Sequence, residues 1–165
     1  LSAPARCTLA AHAVRALRLL AAGPAHAQIL ATLHGVCFAE AWDASAFCGL
    51  LCNPGNSASI VSADDALLRF LLWRMLGEEA EVITLGVRPD HRRAGIASLL
   101  LSGAMVRVAA QGAMSMVLEV PVDNASARDF YSGQGFLEVG SRRGYFRRPG
   151  GPPADALVLR RSLAF

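Results

Sequence analysis

At 165 residues, with 53% apolar and 18% charged side chains, the chain has the length and composition of one domain, residues 1–165, with a substantial core. This excludes a disordered or fibrous protein. The net charge of +3 is too mild to imply a nucleic-acid partner, and no Lys/Arg run exceeds two residues.

Leu1 to Ala22 is rich in Ala and Leu, but Arg6, His12, Arg15 and Arg18 interrupt it. No apolar run therefore reaches membrane length, and neither a cleaved signal nor a membrane association is expected. The cysteines Cys7, Cys37, Cys48 and Cys52 form no C-x-x-C pair and have no histidine at ligand spacing. Reduced thiols in a cytoplasmic protein and no bound metal are the expectation.

Val14 to Leu20 alternates apolar and charged residues and reads as a first strand, which Gly23-Pro24 ends. From Ala25 to about Cys37 the residues Ile29, Leu30, Leu33, Val36 and Cys37 share one helical face, with Gln28, Thr32 and His34 elsewhere. After Phe38-Ala39-Glu40-Ala41-Trp42-Asp43, a short helix is predicted over Ala44 to Leu51 with Asp43 as its N-cap. Asn53 to Asn56 is a turn. Ser57 to Ser62, Leu67 to Leu76 and Ala80 to Val87 then read as the second, third and fourth strands, the first two joined by a hairpin turn at Ala63-Asp64-Asp65.

Past Val87, Pro89 stops the apolar run. A turn of small residues opens into Ile96, Leu99, Leu100, Gly103 and Ala104, whose spacing is helical. Gly95 lets the backbone approach a ligand, and the first N–H groups of the helix point outward at the positive end of its dipole, so the stretch suits a phosphate. It has neither the Gly-Lys-Ser/Thr ending of a P-loop nor the three glycines of a dinucleotide fold. The helix runs to about Gln111 and is capped by Gly112. Met114 to Val120 is a fifth strand, and a short helix follows Asp123-Asn124-Ala125-Ser126 and ends at Gly133 or Gly135. Phe136 to Arg143 reads as a sixth strand, Arg147 to Pro153 as a loop, and Ala156 to Leu163 as a seventh strand.

Arg92-x-x-Gly95-x-Ala97 resembles the pyrophosphate loop of the GNAT superfamily of acyl-CoA N-acyltransferases. The order of elements agrees over nearly the whole chain. Glu79 to Val87 looks like the family's fourth strand, Leu118-Glu119-Val120 like its fifth, and Asn124-x-x-Ala127 with Phe130-Tyr131-x-x-x-Gly135-Phe136 like its CoA-side helix. Phe38-x-x-x-Trp42, with Phe47 following, is similar to the substrate loop of the branch that acetylates the N-terminal alanine of a ribosomal protein. The resemblance implies an α/β (α+β) fold. Its central sheet is mixed and mostly antiparallel, of about seven strands, with about four helices on both faces and strands four and five parallel and splayed apart. It also implies acetyl-CoA as acyl donor and no metal.

Acyl transfer from a thioester to an amine needs a neutral amine and a proton for the departing thiolate. Near neutral pH, deprotonating an α-amine of pKa about 7.7 to 8.0 costs under about 1.4 kcal/mol, and a lysine about 4 kcal/mol, so an α-amine needs only a modest base. Glu119 suits that role directly or through a water, the reading preferred over that of a solvent-facing strand residue. Tyr131 suits the role of acid, and also of core packing, since a buried ring can leave its hydroxyl in a site. The resemblance implies this pairing of base and acid, twelve residues apart.

For the cofactor, the resemblance implies that Arg92, Arg93, Ala94, Gly95, Ile96, Ala97 and Ser98 hold the pyrophosphate, and that the exposed edge at Leu85, Gly86 and Val87 pairs with the pantetheine arm as an added strand. Asn124 is either a contact to that arm or a helix N-cap. Ala97 and Ser98 replace a commoner Gly and basic residue, and Pro121 stands where a basic residue is usual, removing a backbone donor. Phe38, Trp42, Phe47 and the loop from Tyr145 to Pro153 are expected to wall the acceptor site, with Tyr145 expected to face the amine. Trp42 is also readable as plain core. The acceptor is read as a protein N-terminus, with a small amine such as a polyamine or aminoglycoside as the alternative and a non-catalytic acyl-CoA-binding domain as a third reading. Monomer and homodimer both remain open.

Overall fold

The computed structural model describes residues 17–63, 66–91 and 95–163. β1 (Leu17–Ala22) leads through a 3-10 turn at Pro24–His26 into α1 (Ala27–Cys37) and α2 (Ala44–Leu51). β2 (Asn56–Ala63), β3 (Ala66–Leu76) and β4 (Glu79–Val87) form an antiparallel meander. A 3-10 turn at Pro89–His91 precedes α3 (Ile96–Ala110). β5 (Ser115–Pro121), α4 (Ala125–Gly133), β6 (Leu137–Arg148) and β7 (Gly151–Ser162) complete the chain. Among the described residues, seven strands form one sheet in the order β1-β2-β3-β4-β5-β7-β6, and only β4 and β5 run parallel.

Two cores occupy opposite faces of this sheet, and β3 shows how one strand serves both. Its side chains alternate between faces, so Leu71 and Trp73 join α3 and α4 residues such as Leu101, Val108 and Tyr131. Phe70 and Leu72 join Leu30 and Leu33 of α1 and Phe47 and Leu51 of α2. A strand buried on both faces reads as a continuous apolar run, as Phe70-Leu71-Leu72-Trp73 does.

Among the described residues the elements follow the sequence reading, with differences at the end of β1, on the face of α1 and at the C-terminal hairpin. β1 extends to Ala22, and the part of the expected first strand before Leu17 lies outside the described residues, as do Asp64 and Asp65 of the expected turn. The predicted apolar face of α1 is rotated: Leu30 and Leu33 are buried, Ile29 and Val36 are exposed, and His34, expected off that face, is 3% exposed. Ranking positions by apolarity misplaced the stripe, because aromatic neighbours from other elements close over the imidazole.

The largest difference is at the C-terminus. The segment expected as a loop from Arg147 to Pro153 is the tip of a long hairpin, with β6 continuing to Arg148 and β7 starting at Gly151. Gly150 makes the turn at φ 67°, a left-handed conformation suited to glycine. Pro152 and Pro153 are tolerated because β7 pairs with β5 only from Ala156 onward, so no ladder on that side needs their missing N–H groups. No helix among the described residues is long and apolar enough to cross a membrane.

Candidate active site

The site is an opening in the sheet. β4 and β5 pair only at Glu79 to Glu81 against Ser115 to Val117. A clamp holds that stretch: the Glu79 carboxylate accepts from the Ser115 hydroxyl at 3.2 Å and meets the Arg160 guanidinium at 2.7 Å. Beyond it the strands part. β4 stays bonded to β3 as far as Val87, and β5 to β7 as far as Pro121, so each turns an unpaired backbone edge toward the gap. On β5 the Val122 N–H bonds Asp155 on the β7 side at 3.0 Å, which puts the donor missing at Pro121 on the gap side.

Side-chain alternation distributes the chemistry over the two faces. Met116, Leu118 and Val120 point into the core shared with α3 and α4, so Glu119 points to the opposite face, where α1 and α2 lie. The Arg142 Nε meets the Glu119 carboxylate at 2.8 Å. The Tyr145 hydroxyl donates to the same carboxylate, and this bond holds the phenol above its ordinary pKa. The Arg142 guanidinium also lies 5.4 Å from the centre of the Tyr145 ring. Two donors from β6 therefore fix the orientation of a carboxylate that is itself 13% exposed.

On the other face, Tyr131 is buried with its ring edge-on to Phe130 and Phe136 at 5.0 and 5.6 Å. Burial pushes the phenol well above its usual pKa, so the hydroxyl keeps its proton at every ordinary pH. Near it, α3 begins at Gly95, which adopts φ 72°, ψ −10° and so turns the chain into the helix. The first helical bond is Leu99 N–H to Gly95 C=O, leaving the N–H groups of residues 96–98 without acceptors in the helix. Gln134, at the end of α4, donates to the Ser98 hydroxyl at 3.1 Å and ties this helix start to α4. Arg92, Arg93 and Ala94 lie outside the described residues.

The residues expected to wall the acceptor site, Phe38 and Trp42, sit where α1 crosses to α2. Phe38 and Trp42 both stack on His34, with ring centres 4.4 and 4.9 Å away. Tyr145 was expected on a loop. It lies on β6, because the hairpin is ordered through its tip, and it is still turned toward the site by its bond to Glu119.

This layout has counterparts. The model of the Acetyltransferase (GNAT) family matches residues 25–136. The chain belongs to that family. Among curated GNAT relatives, the ribosomal protein bS18-alanine N-acetyltransferase of Salmonella typhimurium is 30% identical over 99 residues, covering 60% of this chain and 66% of that protein. The N-alpha-acetyltransferase RimI of Mycobacterium tuberculosis is 34% identical over 126 residues, covering 74% and 76%. The chain thus spans just under two thirds of the length of the first of these relatives. The crystal structure of the ribosomal-protein-S18-alanine N-acetyltransferase of Escherichia coli superposes with a TM-score of 0.83 at 20% identity, over 91% of this chain and 96% of that one. The mixed seven-stranded sheet with four α-helices and parallel fourth and fifth strands is the GNAT fold.

Within this GNAT frame, Leu85, Gly86 and Val87 lie on the parted edge of β4, and Gly95, Ala97 and Ser98 at the start of α3. Gly86 has a structural reason of its own. A Cβ there would lie 2.1 Å from the Phe70 ring. The Asn124 side chain accepts from the Ala127 N–H at 3.1 Å, which makes it the N-cap of α4 and leaves its amide N–H groups for another contact. The sequence reading missed Arg142, Gln134 and His34. Gln134 stands between two glycines that drew attention only as helix stops, and nothing local marks Arg142 as a partner of Glu119.

Proposed function

We propose that this GNAT domain transfers the acetyl group of acetyl-CoA directly to the N-terminal α-amine of a protein, with a ribosomal protein as the acceptor class. The observation that carries this reading is the gap between β4 and β5, with an oriented carboxylate on one face and a buried phenol and an open helix start on the other. The names of the curated relatives and the acetyl-CoA complex of the Arabidopsis thaliana NAA60 structure, at TM-score 0.77, support the same donor and acceptor.

In this reading the pyrophosphate lies at the start of α3. The N–H groups of residues 96–98 and the helix dipole favour its negative charge, and the Arg92 or Arg93 side chain would supply positive charge against it. The amide-bearing pantetheine arm runs along the edge of β4 from Leu85 to Val87 as a short added strand. That alignment brings the thioester into the gap. The amine enters from the face of α1 and α2, past Phe38, Trp42 and Tyr145, and reaches Glu119.

Glu119 takes the amine proton, directly or through a water, and the neutral nitrogen attacks the carbonyl carbon. As the tetrahedral intermediate collapses, the C–S bond breaks, Tyr131 gives its proton to the thiolate, and the surplus proton on the nitrogen leaves as the amide forms and restores the phenol. An α-amine fits this base, because its deprotonation is far less costly than that of a lysine side chain.

The test is thiol release from acetyl-CoA with three acceptors: a peptide with a free N-terminal Ala, the same peptide N-terminally blocked and carrying Lys, and a linear polyamine. Release with the first alone is expected. Release with the polyamine alone would overturn the protein-acceptor reading in favour of a small-amine enzyme.

A further inference from the structure

His34 is a buried titratable group with no part in the chemistry above, yet it lies between the residues that bound the acceptor site. It sits in the last turn of α1, and its Nδ1 accepts the backbone N–H of Trp42 at 3.2 Å, across eight residues of chain. Phe38 and Trp42 stack on its ring at interplanar angles of 28° and 17°. Phe47 of α2 and Phe70 of β3 meet it at 5.5 and 5.9 Å. A leucine would fill this volume without placing a polar ring in a buried site, so the histidine is there for its hydrogen bond and its flat face.

Both features act on the segment 38–43 that joins α1 to α2. The Trp42 bond closes the segment at one end, and the Phe38 stack holds the other. The contact does not stop there. Phe70 packs against Gly86 so closely that no side chain fits between, and Gly86 lies on the β4 edge assigned to the pantetheine arm. One imidazole therefore links the acceptor side of the gap to its donor side through a single aromatic neighbour.

We propose that His34 is the positioning residue of the acceptor: it sets Phe38 and Trp42 at a fixed distance from β4, where the acyl group is presented. The proposal rests on the acetyl-transfer reading and assigns His34 no contact with the reacting atoms. Burial holds the imidazole neutral, with its pKa pushed down to about 4, so Nδ1 stays an acceptor at working pH.

Two variants separate its contributions. His34→Phe keeps a flat ring and removes the acceptor atom, whereas His34→Asn keeps an acceptor near the Nδ1 position. His34→Phe should raise KM for the acceptor about five- to tenfold, the scale of one lost hydrogen bond, with KM for acetyl-CoA within about twofold of wild type. His34→Asn should restore most of the loss. Hydrogen exchange of the Trp42 amide reads the same bond without any substrate, and should be fast in His34→Phe and slowed again in His34→Asn.

An unchanged acceptor KM and Trp42 exchange rate in His34→Phe would overturn the proposal. So would parallel loss of kcat and of both KM values, which marks a merely structural residue. The acceptor used is whichever amine the wild-type enzyme acetylates. A wild type that ignores the Ala peptide but acetylates the polyamine overturns the protein-acceptor reading alone, and the split between the two KM values then decides the role of His34.

Discussion

Glu119 shows what a single residue discloses and what it withholds. Its place in an alternating strand between Leu118 and Val120 was enough to put it on the face away from the α3 and α4 core. Its partner was not legible. Arg142 reaches Glu119 across β7, which is inserted between β5 and β6, and nothing in the local sequence encodes that strand order. Tyr131 was readable both as acid and as core, and the structure gives it a core environment. Two substitutions test the assigned roles. Glu119→Gln should lower kcat/KM for the amine by about 10²- to 10⁴-fold in steady-state assays, with the dissociation constant for acetyl-CoA unchanged. Tyr131→Phe should lower kcat by about 10²-fold or more while CoA still binds, measured by calorimetry. Equal loss of turnover and binding would make Tyr131 structural.

At the scale of elements, the strands of the meander and α2 with its Asp43 cap were legible because each carries a local signal: alternation, a long apolar run, a carboxylate that accepts the Ala46 N–H at 2.8 Å. The tip of the β6–β7 hairpin was not. Three prolines and two glycines read as a loop, and only the end of β5 at Pro121 frees β7 from needing the missing donors. The parting of β4 and β5 is likewise a property of two strands together. Gly86 marks one place where neighbouring strands dictate a residue. Gly86→Ala should destabilise the fold by about 1–3 kcal/mol in urea unfolding, because Phe70 is fully buried and has no room to withdraw. A stability within 0.5 kcal/mol of wild type, on the order of a surface substitution, would show that the sheet relaxes there.

For the whole molecule, one buried imidazole gives stability a pH dependence whose sign is fixed. The His34 pKa is about 4 in the folded chain, against an ordinary 6.5. Between these values the unfolded chain binds a proton that the folded chain refuses, so stability from this source falls as pH drops from 6.5 toward 4 and levels off below. Urea unfolding at pH 5 should show a loss of about 2 kcal/mol relative to pH 7, absent in His34→Phe. An equal loss in that variant would assign the effect to other groups.

The same scale carries the central claim, that the gap between β4 and β5 presents an acetyl group to a free α-amine. The most direct measurement offers one peptide with both an N-terminal Ala amine and an internal Lys to the enzyme and acetyl-CoA, then locates the added acetyl group by fragmentation mass spectrometry. The account predicts acetylation at the α-amine and an untouched lysine. Acetyl on the lysine, or none on a peptide while a small amine is acetylated in the same buffer, would contradict it.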